Sequence, residues 1–252
     1  MKKILLLATL AALTFNGCKK DDNAGQLFKG KPVAFQHGRA FTWYEVDKAN
    51  QPLRVAIAID DAAMASLNRD GNSHGNSVSL PMPEQAGSSI FTHGLLNWNP
   101  LGHPLQGVYD VPHFDYHFFT ISEASRLAIP AYDQARDKWN NYPPADYMPP
   151  QYVPVTPGVP HMNGHWVDGT SPELNGQKFT QSYIYGSYNG KVTYQEPMVL
   201  ESFLRENAGF TRSIPQPAKV EKGGWYPTKM RIEKASGITS VILEDFIRRQ
   251  PN

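Results

Sequence analysis

The sequence predicts a mostly β protein, an antiparallel sandwich or barrel-like domain with one or two short helices. Turn-forming residues are frequent, with 21 prolines and 20 glycines in 252 residues, and this favours many short strands over long helices. Asn189-Gly190 lies between two aromatic, alternating segments and predicts a two-residue hairpin turn, because both residues accept positive φ. The hydrophobic fraction of 40% is enough for a sizeable core.

Strands are predicted where aromatic and β-branched residues cluster between turn residues. The predicted strands cover 40–46, 53–59, 89–98 and 165–167, the hairpin over 182–196, and a closing hairpin over 229–233 and 238–246. Pro197 is expected to end the second strand of the first hairpin, since proline cannot donate to a ladder.

Helices and loops follow from capping and breaker residues. Asp60 or Asp61 is expected to cap a short helix over 62–67, and 198–207 has helical spacing. A further short helix is predicted in ISEASRLA, after Thr120. Residues 68–88 are predicted to form a loop rich in glycine, asparagine, serine and proline. Residues 130–160 carry eight prolines and are expected to form an ordered loop without ladders or helices.

The first 17 residues predict a lipoprotein signal peptide. Two lysines precede an apolar run over 4–13, which is too short to span a bilayer as a stable helix. Gly17 then precedes Cys18, the single cysteine of the chain, as in a bacterial lipoprotein cleavage box. Because a lone cysteine forms no internal disulfide, we interpret Cys18 as the lipidated residue and the membrane anchor.

The organisation that follows is a lipidated cysteine and flexible tether over 18–27 and a single β-rich domain over 28–250. The expected location is the cell envelope, at the outer membrane or cell surface of a Gram-negative bacterium. Removal of the signal deletes two lysines and no acids, so the formal charge of +1 becomes 1 − 2 = −1. This balance gives no electrostatic reason to bind nucleic acid.

The segment VPHFDYHFF, residues 111–119, carries the first candidate ligands. His113, Asp115 and His117 alternate with aromatic residues, as on a half-buried strand. On a strand the backbones of His113 and His117 lie about 13 Å apart, too far to share one ion unless a bulge brings them together. Neighbours two residues apart could share an ion. A helical metalloprotease motif is excluded, since its glutamate is missing.

His165 and Glu196 complete the predicted metal site. Glu196 shares a predicted strand face with Val192 and Tyr194, where a carboxylate is costly unless a cation or donor meets it. Together with His113 and His117 they form a nitrogen and oxygen donor set that suits zinc first, and iron or manganese as well. Asp115 and His103 are the candidate catalytic residues, as proton acceptors. Tyr116 and Trp166 are the predicted aromatic neighbours of the site.

Two alternatives stay open at this point. The histidines and acids could form a buried polar network, in which Asp115 fixes a histidine tautomer and Glu196 only caps the following helix. No G-x-S-x-G, Walker or G-x-G-x-x-G motif is present, so hydrolase, nucleotide and dinucleotide signatures are missing.

Three long segments resemble an uncharacterised family of exported bacterial domains, the TTHB-like family. They are NWNPLGHPLQGVYDVPHFDYHFF, VPHMNGHWVDGTSPELNGQKFTQSYIYGSYNGKVTYQEPM and GGWYPTKMRI. The resemblance implies a single β-rich domain, a homo-oligomer, and one constellation that contains His103, His113, Asp115, His117, His165, Trp166 and Glu196. His161 departs from the family pattern and is left out of the site.

The function expected from these observations is that of a lipid-anchored envelope protein with a divalent-metal-binding domain and metal-dependent hydrolytic or lyase-type activity. The alternative is a non-catalytic envelope protein that binds or self-assembles, in which the same cluster is structural. The sequence leaves open whether the protein is an enzyme and what its substrate is.

Overall fold

The structure, a computed structural model, describes residues 25–71 and 75–252. The predicted signal, Cys18 and most of the predicted tether lie outside the described residues. Two antiparallel sheets pack face to face as a sandwich, which confirms the predicted fold class. Within the described ranges no helix has the length and apolar character needed to cross a membrane.

The strands and helices are short. In chain order, the strands are β1 (Gln26–Lys29), β2 (Val33–Phe35), β3 (Gly38–Val46), β4 (Pro52–Asp60), β5 (Ser77–Pro81), β6 (His93–Asn99), β7 (His113–Phe119), β8 (Tyr152–Val159), β9 (Asn163–Asp168), β10 (Gln181–Tyr188), β11 (Lys191–Leu200), β12 (Thr211–Ser213), β13 (Gly224–Ala235) and β14 (Ile238–Arg249). The α-helices are α1 (Asp61–Ala65), α2 (Glu123–Leu127), α3 (Arg136–Trp139) and α4 (Glu201–Glu206), and single 3-10 turns cover Glu84–Ser88, Tyr132–Gln134, Ala145–Tyr147 and Pro172–Asn175.

Each sheet has seven strands. Sheet A has the order β1-β3-β4-β14-β13-β12, with β2 paired to β3. Sheet B has the order β5-β6-β7-β11-β10-β9-β8, so β7 and β11 are interior strands of this sheet. Because every neighbouring pair is antiparallel, side chains that stand opposite one another across the strands share one face.

The main hydrophobic core lies between the two sheets. Ile57 and Val241 enter it from sheet A, and Trp98 and Phe114 enter it from sheet B, all of them buried. Burial of side chains of this size contributes roughly 1.5–3 kcal/mol each. The alternation of β7 assigns Phe114, Tyr116 and Phe118 to this core, and its other residues face outward.

Several predicted elements are confirmed. Asn189 and Gly190 have φ of 50° and 80°, and they join β10 to β11 as the expected hairpin turn. The side chain of Asp60 caps α1 by accepting a hydrogen bond from the backbone N–H of Ala63. The closing hairpin β13–β14 is longer than predicted, with an uninterrupted ladder at its turn end, from Lys229 to Ile238.

Other predictions are wrong, each for an identifiable reason. Pro197 does not end β11, although the ladder from β11 to β7 is interrupted at Glu196 and Pro197, where the proline has no N–H to donate. Helix α4 begins only at Glu201, because residues 198–200 continue the strand. The proline-rich segment contains the edge strand β8, since proline is tolerated where one side of a strand is unpaired.

Two boundaries also shift. Strand β5 lies inside the segment predicted to be a loop, where Val78 and Leu80 alternate with polar residues. Strand β1 begins at Gln26, so the last two residues of the predicted tether pair with β3 instead.

Candidate metal centre

The outer face of β7 carries three polar side chains that are shielded from solvent. His113, Asp115 and His117 alternate with the core aromatics, and the three are 0%, 4% and 0% exposed. The predicted strand is therefore confirmed, and its pairing with β6 runs without a bulge. Both faces of this interior strand are covered, so its polar residues have to find partners inside the protein.

A loop over residues 100–112 covers this outer face. Its residues Tyr109 and Val111 pack against Phe179 and Met198 in a second apolar cluster. The loop folds back on itself at Gly102, which has a φ of 71° and whose missing Cβ would lie 2.1 Å from the Tyr109 carbonyl oxygen. This turn brings His103, a loop residue between β6 and β7, over Asp115.

The candidate ligands form two separate groups of three. We call His103, His113 and Asp115 the Asp115 triad, and His117, His165 and Glu196 the Glu196 triad. Within each triad one potential ligand atom per residue lies within 4.8 Å of the others, so either group could hold a metal ion. Each triad offers two imidazoles and one carboxylate, a donor set that suits divalent transition metals.

The Asp115 triad is held in place by hydrogen bonds behind its ligand atoms. Nδ1 of His103 lies 2.6 Å from the Pro104 carbonyl oxygen, and Nδ1 of His113 lies 2.6 Å from the Val111 carbonyl oxygen. Since a carbonyl only accepts, both Nδ1 atoms carry the proton. Both Nε2 atoms then face the carboxylate, at 3.4 Å for His103 and 3.2 Å for His113. The amide of Asn99 donates to Asp115 Oδ2 at 2.7 Å.

Charge within the Asp115 triad is balanced by histidine alone. Burial acts to raise the pKa of Asp115, but the charges of His113 and His103 beside the carboxylate outweigh it and hold the pKa well below its usual value. Burial acts to lower the pKa of His103, and the neighbouring carboxylate outweighs it, so that pKa is raised. Histidine and carboxylate of this triad can therefore balance each other's charge.

The Glu196 triad is assembled from β7, β11 and β9, with β10 between the last two strands. The β11–β7 register pairs Gln195 with Phe118 and Met198 with Asp115, which places Glu196 opposite His117. His117 Nε2 lies 3.3 Å from Glu196 Oε2, and both residues are almost completely buried. Neither ring nitrogen of His117 has a hydrogen-bond partner, and neither does Oε2 of Glu196.

Burial dominates the protonation of the Glu196 triad. It lowers the pKa of His117 to about 3 and that of His165 to about 4, so both imidazoles are neutral at pH 7. Burial, with a further contribution from the charge of Asp115, raises the pKa of Glu196 well above its usual value. Neutral imidazoles are the form that coordinates metal ions.

Gly186 leaves the room that this arrangement needs. Gly186 pairs with His165 on one side and Tyr194 on the other, and a Cβ there would lie 1.9 Å from Tyr194 Cε1. The Tyr194 ring therefore lies across the glycine, in edge contact with His117 at 5.0 Å between ring centroids and near His165 at 6.1 Å.

The structure changes three of the site assignments made from sequence. His113 groups with His103 and Asp115, and it is separated from the other three residues assigned to the metal. Tyr116 and Trp166 lie in the core between the sheets, so they are not the rings beside the triads. Glu196 does not cap a helix, because α4 begins five residues later at Glu201.

Some residues of the site were not assigned to it from sequence. Asn99 is an ordinary strand residue until the β6–β7 register sets it opposite His113. Tyr194 and Phe119 form the apolar wall of the Glu196 triad, with Phe119 stacked on His117 at 5.7 Å. The alternation of side chains along a strand could have identified Tyr194, because it places Tyr194 on the same face as Glu196.

A cavity of about 310 Å³ lies elsewhere in the sandwich. Tyr185, Gln195 and Tyr226 contribute to its lining, together with the segment over 217–222, and no triad residue does. A metal ion needs converging donor atoms more than it needs open volume, and within the described residues the two triads offer such atoms.

Comparison with known proteins returned no match to a family model, to a curated protein or to a solved structure. The resemblance to the TTHB-like family therefore stays a prediction. The function is inferred from the geometry of the two triads.

Proposed function

We propose that this chain is a lipid-anchored envelope protein whose β-sandwich binds a divalent transition metal at the Glu196 triad. The observation that carries the proposal is the buried carboxylate of Glu196, which faces His117 Nε2 at 3.3 Å while its Oε2 has no hydrogen-bond donor. An ion between the two atoms would satisfy them together.

Charge supports the same proposal. The ion pairs of the described residues give Glu196 no lysine or arginine partner, only His117. A buried charge without a partner is costly, and a metal ion is the partner that two neutral imidazoles and a carboxylate select. Zinc is the preferred ion for this set, and iron and manganese are the alternatives.

The chemistry that such an ion supplies is Lewis-acid activation of water. Three protein ligands leave a fourth position in a tetrahedral zinc site, and zinc lowers the pKa of water bound there. His165 is partly exposed, in contrast to His117 and Glu196, so this position is expected on the side of His165. We therefore propose hydrolytic activity, with lyase activity as the related alternative.

A second candidate is a non-catalytic envelope protein with a structural polar network. It is favoured by the Asp115 triad, where His103 lies 3.4 Å from Asp115 and the carboxylate is balanced by histidine charge. This candidate predicts a protein that folds without metal and is indifferent to chelators.

Elemental analysis separates the two candidates. The full-length chain is purified in detergent without a histidine tag, and bound zinc, iron and manganese are measured by mass spectrometry. We expect at least one equivalent of metal per chain, and one equivalent less in the Glu196→Gln variant, because an amide is a poor replacement for a carboxylate ligand.

The matched control is Glu244→Gln. Glu244 is also shielded from solvent, with 7% side-chain exposure against 2% for Glu196, but it pairs with Arg231 and Lys229 on the other sheet. This variant should keep the metal content of the wild type. A metal-free wild-type protein, or equal metal in the Glu196→Gln variant and the wild type, would contradict the proposed site.

A further inference from the structure

The Asp115 triad has the features of a metal site in its own right. Nε2 of His103 lies 3.4 Å from Asp115 Oδ2, and Nε2 of His113 lies 3.2 Å from Oδ1, so the two imidazoles address different oxygens of one carboxylate. Ligands about 2.0–2.1 Å from a tetrahedral ion are separated by about 3.3 Å. The two nitrogen–oxygen distances are close to this value, and the three ligand atoms lie within 4.8 Å of one another.

The tautomers agree with this assignment. Both Nδ1–H groups are engaged by backbone carbonyls at 2.6 Å, which turns both Nε2 atoms towards the carboxylate. Metal-bound histidines almost always donate their other ring N–H in this way. In the metal-free triad histidine charge balances the carboxylate, and a bound cation would take the place of the proton on Nε2.

The carboxylate is oriented as well. The Asn99 amide donates to Oδ2 of Asp115 at 2.7 Å and lies 3.3 Å from Nε2 of His113. Oδ1 of Asp115 is buried and has no hydrogen-bond donor. One oxygen is therefore fixed by the protein and the other is free to bind a cation.

We infer that the Asp115 triad holds a second divalent transition-metal ion, beside the ion proposed for the Glu196 triad. Asp115 and His117 stand two residues apart on the same face of β7, so the two ions would be neighbours, with about 6.6 Å between the strand positions that present them. This inference rests on the proposed metal-binding function, which it extends from one ion to two.

Each triad has one partly exposed histidine. The side chain of His103 is 34% exposed and belongs to the loop over residues 100–112, whereas its partners in the triad are buried. His165 is the partly exposed residue of the Glu196 triad, and its partners are buried as well. An ion in either triad would therefore reach solvent on the side of one histidine.

The test is a metal count on the full-length protein with single and paired variants. Wild-type protein is stripped with a chelator, dialysed against zinc chloride, and assayed for bound zinc per chain. We expect two equivalents in the wild type, one in His103→Ala, one in Glu196→Gln, and none in the double variant. His37→Ala, which removes a histidine in the turn between β2 and β3, should keep two.

Each other outcome identifies which idea has failed. A single equivalent that survives His103→Ala and is lost in Glu196→Gln would overturn the second site and leave the proposed function intact. A single equivalent lost only in His103→Ala would overturn the Glu196 site. Loss of all zinc in both single variants would mean one shared ion and would overturn the two-site assignment. No zinc in the wild type would overturn both.

A second variant protects the test against misfolding. Asp115→Asn keeps the shape of the side chain and removes its charge, so it should lose the same single equivalent as His103→Ala. Circular dichroism of the stripped proteins reports whether each variant is folded. If stripped and folded Asp115→Asn still binds two equivalents, the Asp115 triad is not a metal site.

Discussion

The outer faces of the two sheets treat their buried acids differently. On sheet A, the buried Glu244 lies 2.7 Å from Arg231 and 3.1 Å from Lys229, and the partly buried Glu45 is paired with Arg54. These partners carry permanent positive charge at neutral pH, so both of these acids are balanced by the chain itself.

On sheet B the ion-pair partners of Asp115 and Glu196 are all histidines. Asp115 contacts His103 and His113, and Glu196 contacts His117, at 3.2–3.4 Å. A histidine partner is neutral or charged according to its surroundings, so this face is balanced only by added protons or by an added cation. The difference teaches that burial of a carboxylate alone does not indicate a site, whereas burial beside uncharged donors does.

Removal of metal is the strongest way to break this comparison. We expect a chelator to lower the melting temperature of the wild type by roughly 10 °C, since a ligand at about a thousand times its Kd stabilises by about 4 kcal/mol and each kcal/mol shifts a domain of this size by about 2–4 °C. The measurement is calorimetry with and without chelator, and with zinc added back. An unchanged melting temperature would show that the buried acids of sheet B, like those of sheet A, need no metal ion.

Gly186→Ala tests whether the packing around the Glu196 triad is as tight as the geometry indicates. The added methyl group would meet the Tyr194 ring at 1.9 Å, so the ring has to move away from His117. Overpacking of this kind costs about 1–3 kcal/mol. We expect urea unfolding to show that loss, together with weaker zinc binding.

The control for this prediction is Gly87→Ala. No atom lies within 4 Å of a Cβ at this position, so the substitution should change the free energy of unfolding by less than about 0.5 kcal/mol. Equal stability of the two variants would show that Tyr194 is free to rearrange and that Gly186 does not hold the triad.

Much of the site could be predicted from sequence because strand parity is a local property. The alternation of His113, Asp115 and His117 with aromatics predicted one shared polar face, and the structure has that face. Parity within KVTYQE likewise placed Glu196 with Tyr194. Both inferences need only the two-residue repeat of a strand.

The division into two triads could not be predicted in the same way. It depends on the register between β7 and β11, which are far apart in sequence, and on the loop that carries His103 over Asp115. The separation of about 13 Å expected between His113 and His117 already argued against a shared ion. The sequence did not show which residues join His113 in one group and His117 in another.

The errors in the fold have a related cause. Pro197 is a local signal for the end of a strand, but β11 continues because β10 pairs with it from Gln181 to Tyr188 on one side. Tertiary pairing overrode the local preference of a single residue. The same happened in β8, where pairing with β9 overrode the proline content.

Paired substitutions sharpen the comparison of the two faces in metal-free protein. Glu244→Gln should cost about 1–2 kcal/mol, because Arg231 and Lys229 lose a buried partner but remain partly exposed. Glu196→Gln should change the stability by less than about 1 kcal/mol, since its Oε2 has no hydrogen-bond donor to lose. Urea unfolding of the three stripped proteins measures both. A larger loss in Glu196→Gln would mean that this acid is balanced by the chain after all.

Acid titration gives the smallest and most specific signal. Burial acts to raise the pKa of Glu244, but the hydrogen bonds and charges of Arg231 and Lys229 outweigh it and lower the pKa from the ordinary 4.5. A carboxylate whose pKa is lower in the folded state stabilises above its unfolded pKa, and that contribution is lost as pH falls through the folded value.

The difference in stability between stripped wild type and Glu244→Gln should therefore be constant near pH 6–7 and shrink below about pH 4.5, by some part of the about 1–2 kcal/mol above. Urea unfolding at several pH values gives this difference directly, and the groups of sheet B cancel because both proteins carry them. A difference that stays the same at about pH 3 would mean that the charge of Glu244 contributes nothing. The difference between the two faces could then not be explained by the permanent positive charges of Arg231 and Lys229.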